Sequence, residues 1–565
     1  MKKSRGFTLI EVLVALTIMA VIAVLSWRGI DGMLRAQDAT RRYTDEVLAT
    51  QAGLAQWRTD LDAMMTWPAA AADSPTAQPP PAMQRSLAWD GHTLRITRTA
   101  AGDAAAGLRV VAWTRRSTGG QWQRWQSAPV LSQAAWANAW DAAAAWGQGG
   151  DAATGALPGG AQAVTVAAAL DWQLHYFRKN AWTNPLSSGA QSGADTRVLP
   201  DGVRLFLTLA PGQPLAGPLV IDWVRPDFVG GFVMPRHPPL RARQTARRQT
   251  GAALLAAMLT VVLVATLAAG ALWRQWRGVE VEAAERTRGQ SAWLLSGALD
   301  WSRLILAGDL RESGAVDHLG EPWAVPLAEA RLSTFLAAGE ASAGDIERDA
   351  FLSGQIVDLQ SRLNALNLTL TDPDARMKAL LRFQRLFELL GLPSAELGAL
   401  QRNLARAQAA MTASEGGDAP LLPRRFDQLV WVGVSPATLA ALRPYVTVLP
   451  LQGQAPTLVN VNTASAQVIY AAVPGLDLAA AQRLVGERDR AYLRNAASAI
   501  AQVAPGEADA SWTAVGSRFF EVRGRLRLDQ LAVEEVSVVQ RNPFTRGVTT
   551  LWRERTAIRT PAVGS

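Results

Sequence analysis

The sequence predicts an α+β fold made of two similar units. Each unit has a long N-terminal membrane-spanning helix packed on an antiparallel sheet, and the second carries a large all-helical insertion. Three observations predict this. The apolar runs 7–27 and 252–273 contain a single charged residue, Glu11. Each run continues into polar helical patterning followed by strand-like segments. Five further helical patterns fill residues 365–510.

Both apolar runs are long enough to cross a bilayer as a helix, which takes about 20 residues. Cations precede each run, so the positive-inside rule puts both N-terminal flanks in the cytoplasm. Neither run has the small-residue cleavage site of a secretory signal. The chain has 565 residues, a net charge of +8 and no cysteine, which excludes disulfides and thiol chemistry.

An amphipathic helix is predicted to continue from the first run. Its apolar residues recur at three, four and seven positions and form one face, made of Tyr43, Val47, Leu54, Trp57, Leu61 and Met64. Pro68 ends the pattern because proline cannot continue a helix interior. Residues 7–66 therefore predict one helix of roughly 90 Å.

The remainder of the first half reads as a sheet interrupted by a low-complexity Ala/Gly segment at 135–163. Within that segment, "GQGGDA" (147–152) imitates a dinucleotide fingerprint but follows no predicted strand, so it is discounted. No HExxH, GxSxG or Walker A pattern is present, and the four histidines are far apart in sequence. We therefore expect neither an enzymatic activity nor a cofactor.

The N terminus resembles a type IV prepilin leader. Lys-Lys-Ser-Arg-Gly precedes Phe-Thr-Leu-Ile-Glu before a spanning run. The resemblance implies cleavage by prepilin peptidase after Gly6, N-methylation of Phe7, and a glutamate, Glu11, at the fifth mature position. A carboxylate in hydrocarbon costs several kcal/mol unless it is paired. Glu11 is therefore expected to pair with the free amine of a neighbouring subunit and to set the register of the fibre.

Beyond the leader, the two halves resemble two minor pseudopilins of type II secretion. The first helix, the strands and "LPDGVRLFLTL" are similar to the J type (GspJ). "RRQTGAALLAAMLTVVLVATL" is similar to the start of the K type (GspK), which implies cleavage between Gly251 and Ala252. Ala256 then occupies the fifth position, where the K type lacks glutamate. "LSGQIVDLQSRLNALNL" (352–368) resembles the stretch that leads into that family's helical insertion.

The predicted organisation follows from both resemblances. It comprises a leader at 1–6, a transmembrane helix at 7–28, a GspJ-like periplasmic domain at 29–233, a basic second leader at 234–251, a transmembrane helix at 252–273, the first part of the GspK-like core at 274–364, the insertion at 365–510, closing strands at 511–556 and a tail at 557–565. The second leader belongs in the cytoplasm although a periplasmic domain precedes it. Two explanations stay open: two adjacent reading frames were joined, or the chain is cut at Gly251.

The implied function is structural. The K-like half would cap a type II secretion pseudopilus, because it lacks the pairing glutamate and carries a bulky insertion, and the J-like half would lie beneath it. The expected partners are the I-type and H-type minor pseudopilins, the major pseudopilin, prepilin peptidase and the Gram-negative inner membrane, which each unit crosses once. The alternative is a minor pilin of a type IV pilus or of a DNA-uptake pseudopilus.

Two segments of the insertion contain residue types that could bind a ligand. Residues 459–489 resemble a helix-hairpin-helix, but Asp477 replaces the second glycine of its hairpin and would repel phosphate, so no nucleic-acid partner is expected. Asp372 and Asp374 in "TDPDAR" are candidate calcium ligands. The favoured alternative is an N-cap, with aspartate followed by proline at the first turn. The resemblance to the K family implies calcium binding in the helical region.

Overall fold

The computed structural model describes most of the chain between residues 45 and 559. The described residues are 45–65, 86–99, 106–116, 119–149, 155–156, 160–178, 180–186, 199–213, 215–225, 294–312, 316–331, 350–411, 417–506, 508–528, 531–542 and 547–559, with single positions at 9, 13, 17, 27, 28, 31, 35, 43 and 291. Within this part of the chain, no helix combines the length and apolar character needed to cross a membrane. The predicted spanning helices at 7–28 and 252–273 lie outside the described residues, apart from five helical positions in the first.

The chain divides into two compact units. The first contains Met1–Arg225 and Ala410–Ala419, and the second contains Pro226–Ala409 and Pro420–Ser565. Each unit combines helices with an antiparallel sheet. The predicted mixture of helix and antiparallel sheet is therefore confirmed.

A nine-stranded antiparallel sheet forms the first unit. Its strands are β1 (Leu87–Trp89), β2 (Thr93–Thr99), β3 (Leu108–Arg115), β4 (Gln121–Gln126), β5 (Gly155–Ala156), β6 (Gln162–Arg178), β7 (Ala181–Thr183), β8 (Gly202–Leu209) and β9 (Gly217–Val224). The main order is β1-β2-β3-β4-β6-β8-β9, and β5 and β7 pair with β6. Alternation of side chains along each strand gives the sheet two distinct faces.

Helix α1 (45–62) packs on one face of this sheet. Trp57, Leu61 and Met64 are buried against Leu94 and other sheet residues, as the predicted apolar face requires. Tyr43 differs from the prediction because it is exposed, and the first buried residue of α1 is Thr50. The apolar periodicity thus starts before the helix reaches the sheet.

A second helix lies on the opposite face. Helix α2 (Gln133–Gly147) begins at Ser132, whose side chain accepts a hydrogen bond from the amide of Ala135. It occupies the first part of the segment interpreted as low-complexity Ala/Gly. The indole of Trp136 donates to the hydroxyl of Thr97 at 3.0 Å, and Arg95 lies over the ring of Trp140. Tryptophans that pack on the sheet therefore stabilise this alanine-rich helix.

The second unit is built on a five-stranded antiparallel sheet. Its strands are β10 (Leu327–Arg331), β11 (Ala350–Asp358), β16 (Phe519–Leu528), β17 (Leu531–Arg541) and β18 (Val548–Arg559), in that spatial order. Helix α3 (294–312) packs on it. Leu299 and Leu306 of α3 are buried in one cluster with Phe520, Val522 and Val539.

A helical domain is inserted between β11 and β16. It contains six α-helices, α4 (Pro373–Leu389), α5 (Ser394–Ala410), α6 (Pro436–Leu442), α7 (Ala466–Ala472), α8 (Leu478–Arg490) and α9 (Ala496–Val503), within its described residues. Two short parallel pairs also lie there, β12 (Leu363–Asn364) with β13 (Val446–Thr447) and β14 (Val459–Asn460) with β15 (Thr513–Ala514). A long insertion at one end of two paired strands costs little extra loop entropy when its own ends meet.

Candidate functional site: the junction between the sheet and the helical insertion

The two ends of the insertion are held together by the sheet. Strands β11 and β16 pair without a break from Ala350↔Leu528 to Asp358↔Phe520. The chain leaves the sheet after Asp358 and returns at Phe519, so the insertion emerges from one end of the sheet. Residues at this end control how the helical domain is attached.

Asp358 is the centre of this junction. Its carboxylate is buried and accepts hydrogen bonds from the Gln360 amide at 2.7 Å, the Ser517 hydroxyl at 2.6 Å and the Thr463 hydroxyl at 2.5 Å. The Asn460 amide nitrogen lies 3.1 Å from the same carboxylate. Burial raises the pKa of Asp358, although the hydrogen bonds from Ser517 and Thr463 oppose the shift. Through this carboxylate, Asp358, the last residue of β11, is bonded to both ends of the insertion.

Asn460 extends the network to a loop of the core. Its amide nitrogen lies 3.1 Å from the carbonyl oxygen of Asp317 and 3.0 Å from the hydroxyl oxygen of Ser517. Its carbonyl oxygen accepts from the amide of Asn462 at 3.0 Å. Since an asparagine amide has only two hydrogens, its three acceptors share them.

A buried guanidinium completes the junction. Arg541, at the end of β17, donates to Asp309 at 2.8 Å, to Asp317 and to the carbonyl oxygen of Ser517 at 2.9 Å. Burial raises the pKa of Asp317 to about 7, and the nearby charge of Asp358 raises it further. The attraction of Arg541 and the hydrogen bond from the Ser517 amide oppose this shift but do not cancel it. The buried carboxylates outnumber the buried cation, which favours proton uptake here.

The loop between α3 and β10 contacts the insertion through a ring pair. The carboxylate of Glu321 accepts from the His318 amide at 2.9 Å and from the Trp323 indole at 2.7 Å, which fixes the turn. The ring of His318 stacks on the ring of Tyr492 with centroids 4.2 Å apart. Tyr492 follows α8, so this contact ties a second part of the insertion to the core.

Asparagines also connect the start of the insertion to its middle. Asn364 exchanges hydrogen bonds with the backbone of Leu449, at 2.9 and 3.0 Å. Asn367 exchanges bonds of 3.0 and 2.9 Å with the backbone of Thr457. These are the asparagines of "SRLNALNL". Two polar amides within this apolar run are the sequence signal for these contacts.

The helix-hairpin-helix-like segment is a packing module of the insertion. Its hairpin between α7 and α8 contains Gly475, whose φ of +86° suits glycine. Arg385 of α4 donates to the carbonyl oxygens of Tyr470 at 2.9 Å and Leu476 at 2.6 Å, and Asp477 caps α8. Because Arg385 of α4 and the carboxylate of Asp477 already contact the backbone of this hairpin, the arrangement does not favour the DNA-contact alternative.

The predicted binding residues of the insertion lie elsewhere. Asp372 is the N-cap of α4, accepting from the Ala375 amide at 3.1 Å with Pro373 at the first helical position, as the capping interpretation predicts. Asp374 lies in the first turn. Among the residues that the structure describes, the acidic side chains close enough to share a metal ion are Asp309, Asp317 and Glu321. Arg541 already pairs with the first two, and the calcium role of Asp372 and Asp374 stays a prediction.

The predicted processing and register residues lie outside the described residues. They are Gly6, Phe7, Glu11, Gly251 and Ala252. The residues of the junction, in contrast, were absent from the sequence prediction. They are Asp309, Asp317, Asp358, Asn460, Ser517 and Arg541.

Comparisons with known proteins match the N terminus and the helical insertion separately. Residues 1–27 match the prokaryotic N-terminal methylation motif. Residues 361–451 and 459–515 match two family profiles of type II secretion system protein K. Type II secretion system protein K of Pseudomonas aeruginosa is 28% identical over 320 residues, covering 52% of this chain and 90% of that protein.

A solved structure adds a weaker likeness. A chain in the GspK–GspI–GspJ complex from the type 2 secretion system of enterotoxigenic Escherichia coli is 16% identical to this chain. The match has a TM-score of 0.35 and covers 48% of this chain and 98% of that chain. The assignment therefore relies on the sequence matches.

An N-terminal methylation motif, with a helix packed on an antiparallel sheet, defines a pilin-like assembly protein of the bacterial envelope. The protein K matches cover the insertion that the junction holds in place. The second half of the chain is a GspK-like minor pseudopilin of the type II secretion system.

Proposed function

We propose that the GspK-like half caps the type II secretion pseudopilus, and that the first half is a GspJ-like pseudopilin directly beneath it. One observation carries the proposal: the helical domain emerges from one end of the β11–β16 pair and is held there by the buried junction. A firmly held domain at one end of a subunit obstructs addition of a further subunit on that side.

The N-terminal sequences support the same order. Glu11 of the first half has a carboxylate for the amine of a subunit ahead, and Ala256 of the second half has none. A subunit placed ahead of the GspK-like half would bury its amine without this partner, at a cost of about 1–3 kcal/mol. Only the subunit at the tip avoids that cost.

The proposed setting is the Gram-negative inner membrane, with the main domains in the periplasm. Prepilin peptidase cleaves after Gly6, and after Gly251 if that leader reaches it, and Phe7 is then N-methylated. I-type and H-type minor pseudopilins and the major pseudopilin assemble below the tip. The related E. coli complex contains K, I and J proteins, which fits this partner set. The chain has an assembly role and no catalytic one.

The GspJ-like assignment of the first half has structural support. Its helix packs on an antiparallel sheet and is joined to it by polar contacts from the buried Asp60 and the exposed Asp62. The proposal predicts that this half alone, expressed as 1–233, restores secretion in cells that lack their own J-type pseudopilin.

Immunogold labelling of pseudopili tests the cap directly. The GspK-like half should be found at one end of each fibre. A matched variant replaces residues 361–516 by a short Gly-Ser linker, because Asp358 and Phe520 are already paired neighbours. This variant should appear along the fibre and give longer or disordered fibres. Label from the intact chain at regular intervals along a fibre would contradict the proposal.

A further inference from the structure

The junction places four carboxylates around one guanidinium. Carboxylate oxygens of Asp309, Asp317 and Glu321 lie within 4.8 Å of one another. The charge of Asp358 also acts on Asp317. Arg541 is bonded to Asp309 and Asp317. If all of them were ionised, four negative charges would face one positive charge in a buried site, and a low-dielectric site disfavours that excess.

The Glu321 carboxylate is engaged through one of its two oxygens. Oε2 accepts from the His318 amide and the Trp323 indole. Oε1 is buried, lies 4.0 Å from Nε2 of His318 and has no hydrogen-bond partner among the described residues. A buried anionic oxygen without a donor is costly, and a proton relieves that cost. Burial accordingly raises the pKa of Glu321.

The helical insertion covers this acidic set with neutral donors. The Ser517 amide donates to the Asp317 carboxylate at 2.6 Å, and the Asp317 amide donates to the carbonyl oxygen of Val515 at 2.8 Å. The Asn460 amide nitrogen lies 3.1 Å from the Asp358 carboxylate. Detachment of the insertion from the sheet would therefore open Asp317 and Asp358 to water.

The charged and titratable groups around Asp317 come from every element that packs there. Within the described part of the chain they are Asp309 of α3, His318 and Glu321 of the loop before β10, Asp358 of β11, Arg541 of β17 and Tyr492 after α8. Carboxylates outnumber cations in this set whether or not His318 is protonated. The balance of charge therefore favours proton uptake by the set.

Proton binding and attachment of the insertion are thus linked. The attached state buries the carboxylates and holds a proton more tightly than a detached state, in which water surrounds them. A ligand that binds one state more tightly shifts the equilibrium toward that state. The pKa of Asp317 is about 7 in the attached state against an ordinary 3.8, with burial as the main cause. Attachment should strengthen as the pH falls from 7 toward 4, and this gain is lost as the pH rises through about 7.

We infer that the junction is a pH-sensitive switch: a proton held among its buried carboxylates keeps the insertion attached to the sheet, and loss of that proton lets the insertion detach while the sheet stays folded. The consequence at the fibre tip rests on the proposed function. There, a detached insertion no longer obstructs the addition of a further subunit. The pH around the fibre thereby regulates capping.

Hydrogen exchange of the full chain in detergent tests the switch. Protection factors, corrected for the intrinsic pH dependence of exchange, are measured at pH 5 and pH 8 in the presence of EDTA. The amides of Asp317 and Ser517 report on the junction, and those of Val522 and Leu526 in β16 report on the sheet.

We expect the junction amides to lose at least tenfold of their protection between pH 5 and pH 8. The pKa of Asp317 alone allows a change of roughly 100-fold over this range. The junction amides should also be less protected than the sheet amides at both pH values, because the insertion detaches without unfolding of the sheet.

Three variants separate the switch from a general effect of charge. Asp317→Asn has a neutral side chain at both pH values and should keep most of its junction protection at pH 8. Asp309→Asn removes one carboxylate and leaves the pair of Asp317 with Arg541, so it should reduce the loss even if Asp317→Asn does not fold. Asp374→Asn, on the exposed first turn of α4, is the matched control and should keep the full pH dependence.

Four results would overturn the inference. They are junction protection that does not change with pH, equal protection of junction and sheet amides at both pH values, an unchanged pH profile in both junction variants, and recovery of protection at pH 8 when Mg²⁺ or Ca²⁺ replaces EDTA. The second result would assign the opening to global unfolding. The last would assign the charge balance to a bound cation.

Failure of the switch and failure of the proposed function give different results. If only the switch is wrong, gold label from the intact chain is at the fibre tip at pH 5 and pH 8 alike. If the proposed function is wrong, the label is absent from the tip at both pH values, whatever the exchange of the junction amides.

Discussion

The carboxylate of Asp60 in α1 and the guanidinium of Arg124 in β4 form a two-point ion pair, with Oδ2–Nε at 2.7 Å and Oδ1–Nη2 at 2.9 Å. Asp60 is fully buried and also accepts from Arg98 at 2.5 Å and from the Trp113 indole at 2.9 Å. A single helical residue is thereby joined to β2, β3 and β4. This fixes how α1 lies on the sheet.

Asp60→Ala should therefore destabilise the first unit severely. It leaves Arg98 and Arg124 without their buried counter-charge, which typically costs about 3–5 kcal/mol. Urea unfolding of the full chain in detergent, followed by tryptophan fluorescence, measures the loss. Asp141→Ala is the control, because Asp141 is exposed on α2 and should change stability by less than about 0.5 kcal/mol. Equal effects of both substitutions would contradict this role.

Asp358→Ala should loosen the helical insertion. The substitution removes the acceptor of Ser517, Thr463 and Asn460 in a buried site, so we expect a loss of about 2–4 kcal/mol in the second unit. Limited proteolysis should then cut within the insertion before the sheet. Asp374→Ala on the exposed first turn of α4 is the control. A protease pattern like that of the unchanged chain would count against the junction.

Stability of the second unit should rise on mild acidification. The pKa of Asp317 is about 7 in the folded chain against an ordinary 3.8, because burial and the nearby charge of Asp358 outweigh the attraction of Arg541. The folded state holds this proton between about pH 4 and pH 7 and the unfolded state does not. The free energy of unfolding should therefore be about 2–3 kcal/mol higher at pH 5 than at pH 8.

Asp317→Asn provides the comparison for this pH effect. It should remove most of the difference between pH 5 and pH 8 in urea unfolding. An unchanged pH profile in the variant would assign the effect to other groups.

Processing at the first leader should depend on Gly6. Gly6→Val places a branched side chain at the cleavage site, so the leader should be retained. N-terminal sequencing of the chain from membranes that contain prepilin peptidase shows whether the leader is retained. A mature N terminus at Phe7 in the variant would contradict the prediction. The unchanged chain from the same membranes shows whether Gly251 is cleaved. Cleavage after Gly251 gives two products, and its absence gives one product near 60 kDa.

Glu11→Leu should keep or improve membrane insertion and reduce secretion. The substitution removes a charge from the apolar run, and with it the partner of a neighbouring amine. Secreted protein should fall while the amount of chain in the membrane does not. Secretion at the normal rate by this variant would contradict the pairing of Glu11 with the amine of a neighbouring subunit.

Local patterns predicted most of the regular structure. "VRLFLTLA" has an apolar residue at every second position from Val203 to Leu209, which lie in β8, and the face containing Trp57 and Leu61 packs on the sheet. Helix α2 was missed because its sequence is rich in alanine and was interpreted as low-complexity. Its stability comes from tryptophans that touch the sheet, and this contact cannot be read from neighbouring residues.

By itself, the sequence determined the leader, the apolar runs and the resemblance to minor pseudopilins, because these depend on residues a few positions apart. Only the tertiary structure decided where the functional contacts lie. Arg541 and Asp317 are 224 residues apart in sequence, and Ser517 and Asp358 are 159 apart. They meet because β11, β16 and β17 pair side by side, and the register of a sheet brings together residues whose spacing along the chain has no period.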